Sequence, residues 1–312
     1  MFDTLKKLFK KNGSTRKKLS THDYYKDSKP KKLSVRDFYN ECAETEFTRT
    51  TQDACHILEF QTTEHIYKKY LKPGMKILDA GGGPGRYTID LAKKGYHMTL
   101  LDISDKELDI AKRKIKQHRV DKFVDSVDLG SITELPYKDN SFDMVLCLGG
   151  PLSHVYTEQA RKKAIKELVR VAKPGAPVFI SVMNRAAVLN LCVRDFERYS
   201  QSDTDKNKKN FWAEQFEFAN TGEDQRFCGR SYAHFFWPTE FKELVLKTAK
   251  NTKLLHMVSL EWLSQNTEKE FNKIAENKHH YKNWLDLHFS VCENPDMLAL
   301  SSHIMIVIQK KK

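Results

Sequence analysis

Between positions 75 and 183 the apolar residues switch regularly between two periods. Short apolar runs, of the kind that fill strands buried on both faces, occur at Met75–Ala80, His97–Asp102, Met144–Leu148 and Pro177–Met183, with a weaker one near Phe123–Asp128. Helical-period stretches lie between them, at about Arg86–Lys94, Asp105–His118 and Gln159–Val171. Lys72-Pro73-Gly74 and Lys173-Pro174-Gly175 punctuate the pattern as turns. This alternation predicts an α/β fold with a parallel sheet and right-handed crossovers. Upstream, Phe38, Phe47, Ile57, Leu58, Phe60, Ile66 and Tyr67 recur at loose helical spacing and predict a helical segment over 35–72. The regularity breaks over 184–237, a stretch rich in aromatics (Phe196, Tyr199, Phe211, Trp212, Phe216, Phe218, Phe227, Tyr232, Phe235, Phe236, Trp237), with 201–210 predicted as an exposed loop. It resumes with a helix at Thr239–Thr248, a strand at Leu254–Leu260, a helical region over Thr267–His288 and a last strand at His303–Ile308.

The candidate chemistry sits at the end of the first strand. Asp79 is followed by Gly81, Gly83 and Gly85 at every second position, and then by a helix. Glycine lets a backbone turn tightly and approach a ligand where a Cβ would clash. A glycine turn between a first strand and its helix marks a nucleotide-type site. The Gly-Lys-Ser/Thr of a phosphate loop is absent, and G-x-G-x-x-G fails because its last position falls on Arg86 or Thr88. Asp102 ends the second strand about 20 residues on, where an acidic side chain takes two ribose hydroxyls.

Composition changes this picture little; charge changes it more. The chain has 312 residues, 40% of them hydrophobic, enough for one large domain with a real core. No apolar run is long enough for a membrane helix, and Met1–Lys11 lacks the apolar core of a secretory signal. The six cysteines are scattered without a metal-ligand spacing and read as reduced thiols of a cytoplasmic protein. Net charge is +12, but residues 1–34 hold eleven basic and three acidic side chains, leaving 42 basic against 38 acidic elsewhere. The excess therefore belongs to a flexible basic tail, and the domain body shows no phosphate-tracking groove for nucleic acid. Within that tail Phe2, Leu5, Leu8 and Phe9 share one helical face, so residues 1–11 suit weak contact with an anionic membrane surface as well as a solvated tail.

Together these residues resemble the class I S-adenosylmethionine-dependent methyltransferases. The resemblance spans about Pro73 to Met183. It rests on the Asp79–Gly85 turn, Asp102, Leu135-Pro136-Tyr137 with Asn140-Ser141-Phe142-Asp143, and Lys173-Pro174-Gly175. The order is that of the ubiquinone/menaquinone-biosynthesis-type and small-molecule group. It implies a Rossmann-like seven-stranded sheet, mostly parallel with an antiparallel last strand. It also implies an N-terminal helical segment (35–72) over the cofactor site, a domain over 73–312 and a cap insertion at about 184–237. For S-adenosyl-L-methionine it implies Gly81, Gly83 and Gly85 beside the methionine part, Asp79 at its ammonium, Asp102 at the ribose and Ile103 on the adenine. Ser131 stands where an Asp is common, with Ile132 beside the ring, and Leu148 lies at the strand end by the methyl donor. No metal is implied. His154, after the fourth strand, is a candidate general base or a histidine held by a carbonyl. Arg49 and His56 could meet an anionic group. The reading is methyl transfer to a small-molecule acceptor. An RNA or protein methyltransferase using the Lys-rich tail, and a non-catalytic binding protein docking on a membrane or partner, remain alternatives.

Overall fold

A computed structural model describes residues 33–49, 53–187, 189, 211–227, 230–262 and 267–312. The expectations for the basic tail, its membrane-facing segment, the loop at 201–210 and Phe196 and Tyr199 lie outside these residues. The chain begins with α1 (Val35–Arg49) and α2 (Ala54–Tyr67), then alternates β1 (Lys76–Ala80), α3 (Arg86–Lys93), β2 (His97–Asp102), α4 (Asp105–His118) and β3 (Val124–Leu129). There follow β4 (Met144–Cys147), α5 (Glu158–Val171) and β5 (Pro177–Met183). Next come α6 (Phe211–Thr221), β6 (Glu223–Phe227), β7 (Ser231–His234), α7 (Pro238–Thr248), β8 (Thr252–Ser259), α8 (Glu268–Glu276), α9 (Lys278–Val291) and β9 (His303–Lys310).

Seven strands form one sheet in the order β3-β2-β1-β4-β5-β9-β8. The first five are parallel, and β9 runs antiparallel to both β5 and β8. This is the sheet the resemblance implies. Residues of β4 alternate between two cores because successive side chains point to opposite faces. Val145 and Cys147 pack with α5 and α7, while Met144 and Leu146 pack with α2 and α3. Covered on both sides, β1, β4 and β5 are mostly apolar, and β4 and β5 are buried at every residue.

The structure departs from the expected elements in three places. The helical segment at 35–72 is two helices, the second capped by Asp53, whose side chain accepts from the His56 N–H. Apolar on two faces, α2 packs on the sheet through Phe60, Ile66 and Tyr67, and against α8 and α9 through Ala54, Cys55, Ile57 and Leu58. The region 267–288 is likewise split, because the Asn277 side chain caps α9 by accepting from His279 and His280. Third, the aromatic stretch contains an antiparallel hairpin, β6–β7, where the sequence pattern predicts no strand. Of its aromatics Phe218, Tyr232, Phe235 and Phe236 are buried, whereas Phe216 is exposed.

Candidate cofactor and acceptor site

The glycine turn is fixed to the neighbouring strand from its first residues. The N–H groups of Gly81 and Gly82 both donate to the carbonyl of Leu101, at 2.7 and 3.2 Å. Gly81 has φ +75°, and a Cβ there would stand 2.6 Å from Pro151 Cγ, because the segment after β4 crosses directly over it. Gly82, whose conformation is ordinary, is glycine for another reason: its Cβ would fall 2.5 Å from both Asp79 Cγ and Leu100 Cδ1. The turn is therefore closed on the protein's own atoms at Gly81 and at Gly82.

Two buried carboxylates flank that turn. Asp79 Oδ2 accepts from the Thr88 N–H (3.1 Å) and hydroxyl (2.7 Å), while its Oδ1 is buried and has no hydrogen-bond partner among the described residues. Burial, opposed by the Thr88 bonds, pushes Asp79 up to about 6. Asp102 accepts from Gly83 N–H through Oδ2 and from Ser104 N–H through Oδ1, both at 2.8 Å, and burial again raises its carboxyl. Helix α1 reaches over this end of α4. Ser104 Oγ donates to Asn40 Oδ1 at 2.6 Å, Asn40 Nδ2 donates to Asp105, and Arg36 pairs with Asp105 at 2.9 Å.

The other expected contacts fall at the same end of the sheet, with varied surroundings. Ile103 keeps 39% of its surface exposed just past β2, an apolar side chain standing open beside Asp102. Ile132 and Leu148 are buried in the two cores. Ser131 is engaged locally, with Thr133 Oγ1 at 2.8 Å and the Thr133 N–H. His154 is held at both nitrogens, Nδ1 to the Tyr232 carbonyl (2.9 Å) and Nε2 to the Tyr39 hydroxyl (2.7 Å). That pattern fixes a tautomer with the proton on Nδ1, and burial pulls the ring down to about 4, so it is neutral. His56 faces Asp53 at 2.8 Å as part of the helix cap, and Arg86 lies over the Phe60 ring. Cys147 is fully buried and its thiol is raised by burial, which leaves it inert.

Sequence reasoning passed over four acids and a histidine nearby. Glu107 is buried in the first turn of α4, where burial, then the Asp102 and Glu46 charges, push it up to about 10. Its position three residues after Ser104 was legible as a helix start, but not its burial. Glu46, Glu59, Glu261 and His303 come together beyond β4 and carry no local pattern that could have marked them.

A glycine turn at the carboxyl end of β1, an acid at the end of β2 and this strand order are the arrangement of the class I, S-adenosylmethionine-dependent methyltransferase fold. Residues 77–175 match the model of the methyltransferase domain family. Over 117 residues the chain is 36% identical to norajmaline N-methyltransferase of Rauvolfia serpentina, covering 37% of this chain and 38% of that protein. It is 34% identical over 116 residues to the ubiquinone/menaquinone biosynthesis C-methyltransferase of Shewanella woodyi, covering 35% and 43%. The chain thus spans less than half the length of these curated relatives. The fold is shared more widely. The 1,6-didemethyltoxoflavin-N1-methyltransferase of Burkholderia thailandensis, solved with 1,6-didemethyltoxoflavin and S-adenosylhomocysteine, superposes with a TM-score of 0.52 at 14% identity, covering 96% of this chain and 94% of that one. No helix among the described residues is long and apolar enough to cross a membrane.

Proposed function

We propose that this chain transfers the methyl group of S-adenosylmethionine to a small-molecule acceptor. The observation that carries the reading is Asp79 Oδ1, a buried carboxylate oxygen without a hydrogen-bond partner among the described residues, beside the glycine turn, where a cationic group would complete it. The donor set fits the cofactor. Asp79 receives the ammonium, Gly81, Gly83 and Gly85 let the main chain pass beside the methionine part, and Asp102 accepts from the ribose through its remaining lone pairs. Ile103 packs on the adenine, with Ser131 and Ile132 along its edge and Leu148 at the strand end.

S-adenosylmethionine supplies a methyl group already activated on a sulfonium. The chain's own task is alignment and the exclusion of water. Helix α1 and the segment after β4 cover the site, and we assign neutral His154 to orienting the Tyr39 hydroxyl. We read residues 35–72 as the helical cover and 73–312 as the catalytic domain, with 184–237 as its cap on the acceptor side.

Calorimetry on the full chain tests this. S-adenosylmethionine should bind, and Asp102→Asn should weaken it about tenfold or more, the loss of a charge-assisted contact. Affinity should also decline as pH falls through about 6, because protonating Asp79 removes the charge that holds the ammonium. No binding at any pH would sink the reading.

A further inference from the structure

Beyond the glycine turn, where β4 and β5 end, charged side chains from distant parts of the chain share one niche. Glu46 and Arg49 close α1, Glu59 lies in α2, Glu261 follows β8, and His303 opens β9 opposite Met183, the last residue of β5. The niche adjoins the end of β4: Arg49 Nη2 is 3.8 Å from where a Cβ on Gly149 would stand.

The charges pair off with one carboxylate left over. Arg49 Nε donates to Glu46 Oε2 at 2.7 Å. His303 Nδ1 meets Glu261 Oε1 at 2.5 Å, and the Ser301 hydroxyl and His303 N–H donate to Glu261 Oε2. Burial pulls His303 down, but the Glu261 and Glu59 carboxylates outweigh it and push the ring up to about 9, so it is an imidazolium at neutral pH. Glu59 is 4% exposed and makes no hydrogen bond among the described residues. Its ionic partner is Arg49 Nη1 at 4.0 Å, on a guanidinium already committed to Glu46. The atoms that Glu59, Glu261 and His303 turn toward one another lie within 4.8 Å. A carboxylate held in such burial without a close partner is costly unless a ligand completes it.

We propose that Glu59 determines acceptor specificity, taking a protonated amine or other basic nitrogen head group of the small molecule to be methylated. The inference rests on the methyl-transfer reading. Three carboxylates against two cations leave the niche negative, which excludes an acidic head group and favours a cationic one. Glu261 and Glu46 hold His303 and Arg49 in place, so that neither cation collapses onto Glu59.

The test uses the full chain saturated with S-adenosylhomocysteine and three probes of matched shape: 4-methylbenzylammonium, 4-methylbenzyl alcohol and 4-methylbenzoate. Binding is followed by saturation-transfer NMR and calorimetry. The ammonium should bind at least tenfold more tightly than the alcohol, with the benzoate weakest. Glu59→Gln should abolish that order and Glu59→Asp should retain it in part, while affinity for S-adenosylhomocysteine stays within twofold and melting remains cooperative in both. Equal binding of the three probes, preference for benzoate, no binding of any probe, or a preference that survives Glu59→Gln would each overturn the proposal. So would stoichiometric Mn2+ binding lost in Glu59→Gln, which would assign these carboxylates to a metal. Failure of S-adenosylhomocysteine to bind the parent chain would instead defeat the methyl-transfer reading beneath it.

Discussion

The two halves of the site are built by different means. On the proposed cofactor side the contacts of the glycine turn and its two carboxylates are local, and the cover from α1 comes from farther off. Asp79 reaches Thr88 nine residues away, Gly83 reaches Asp102 at a separation of 19, and Ser104 N–H reaches Asp102 two residues back. On the proposed acceptor side they are remote. Glu261 and His303 lie 42 residues apart, and the Thr62 hydroxyl next to this region meets His288 across 226 residues. Local contacts survive changes elsewhere in the chain and so define a class of proteins. Remote ones depend on the whole packing, which leaves an acceptor side free to differ between relatives that share a cofactor side.

The sharpest way to break the cofactor side is to add one methyl group. Gly81 and Gly74 share φ +75°, so alanine at either pays the same backbone strain, about 1 kcal/mol. They differ in space: Gly74 has nothing within 4 Å, whereas a Cβ on Gly81 meets two ring carbons of Pro151 at 2.6 and 2.7 Å. Gly74→Ala should therefore cost about 1 kcal/mol of unfolding free energy and Gly81→Ala about 3 kcal/mol or more, as overpacking adds to strain. Denaturant melts of both variants measure the difference. Equal losses would mean that the segment after β4 yields, and that the turn is not closed on its own protein.

The same division decides what was legible in the sequence. Asp79, the alternate glycines and Asp102 declare themselves because their spacing along the chain is their spacing in space, and the structure keeps β2 and α4 at the limits their pattern predicts. Glu59, Glu261 and His303 are ordinary polar residues in sequence. Glu59 sits in a helix buried on nearly every side, its polar Gln61, Thr62, Thr63 and Glu64 included, which no apolar stripe in the sequence marks. The hairpin β6–β7 was hidden for a related reason: its strands are short, and its aromatics are shared with α6 and β5 rather than alternating across one face. His154 announced itself by its place after β4, yet only the structure shows both its nitrogens engaged.

An effect on the order of 2 kcal/mol is expected on the acceptor side, and pH reveals it. His303 is raised from its ordinary value to about 9 by Glu261 and Glu59, against the pull of burial. The folded protein then holds a proton that the unfolded chain releases near 6.5. This contribution is full below about 6.5 and is lost as pH rises through about 9. Unfolding free energy measured across that window should decline, and His303→Gln should flatten the decline while leaving S-adenosylmethionine binding in place. An unchanged slope would separate His303 from the carboxylates around it.

The smallest effect sharpens the comparison from the other side, because Glu107 places a second costly acid, besides Asp79, in the proposed cofactor half. Burial, and then the charges of Asp102 and Glu46, push it up to about 10, so it keeps its proton at neutral pH while the unfolded chain would release it near 4.5. With more protons bound in the folded state, stability falls as pH rises from about 4.5 toward 10. Glu107→Gln keeps the shape and removes the titration. The variant should match the parent chain near pH 4 and exceed it by about 1 kcal/mol at pH 7, part of the gain being offset by the amide N–H groups that Gln buries. Thermal melts at the two pH values decide it. Destabilisation at both would mean that Glu107 is ionised and held by a cation, and that the carboxylates around Asp102 are paired as thoroughly as Glu46 and Glu261 are across the site.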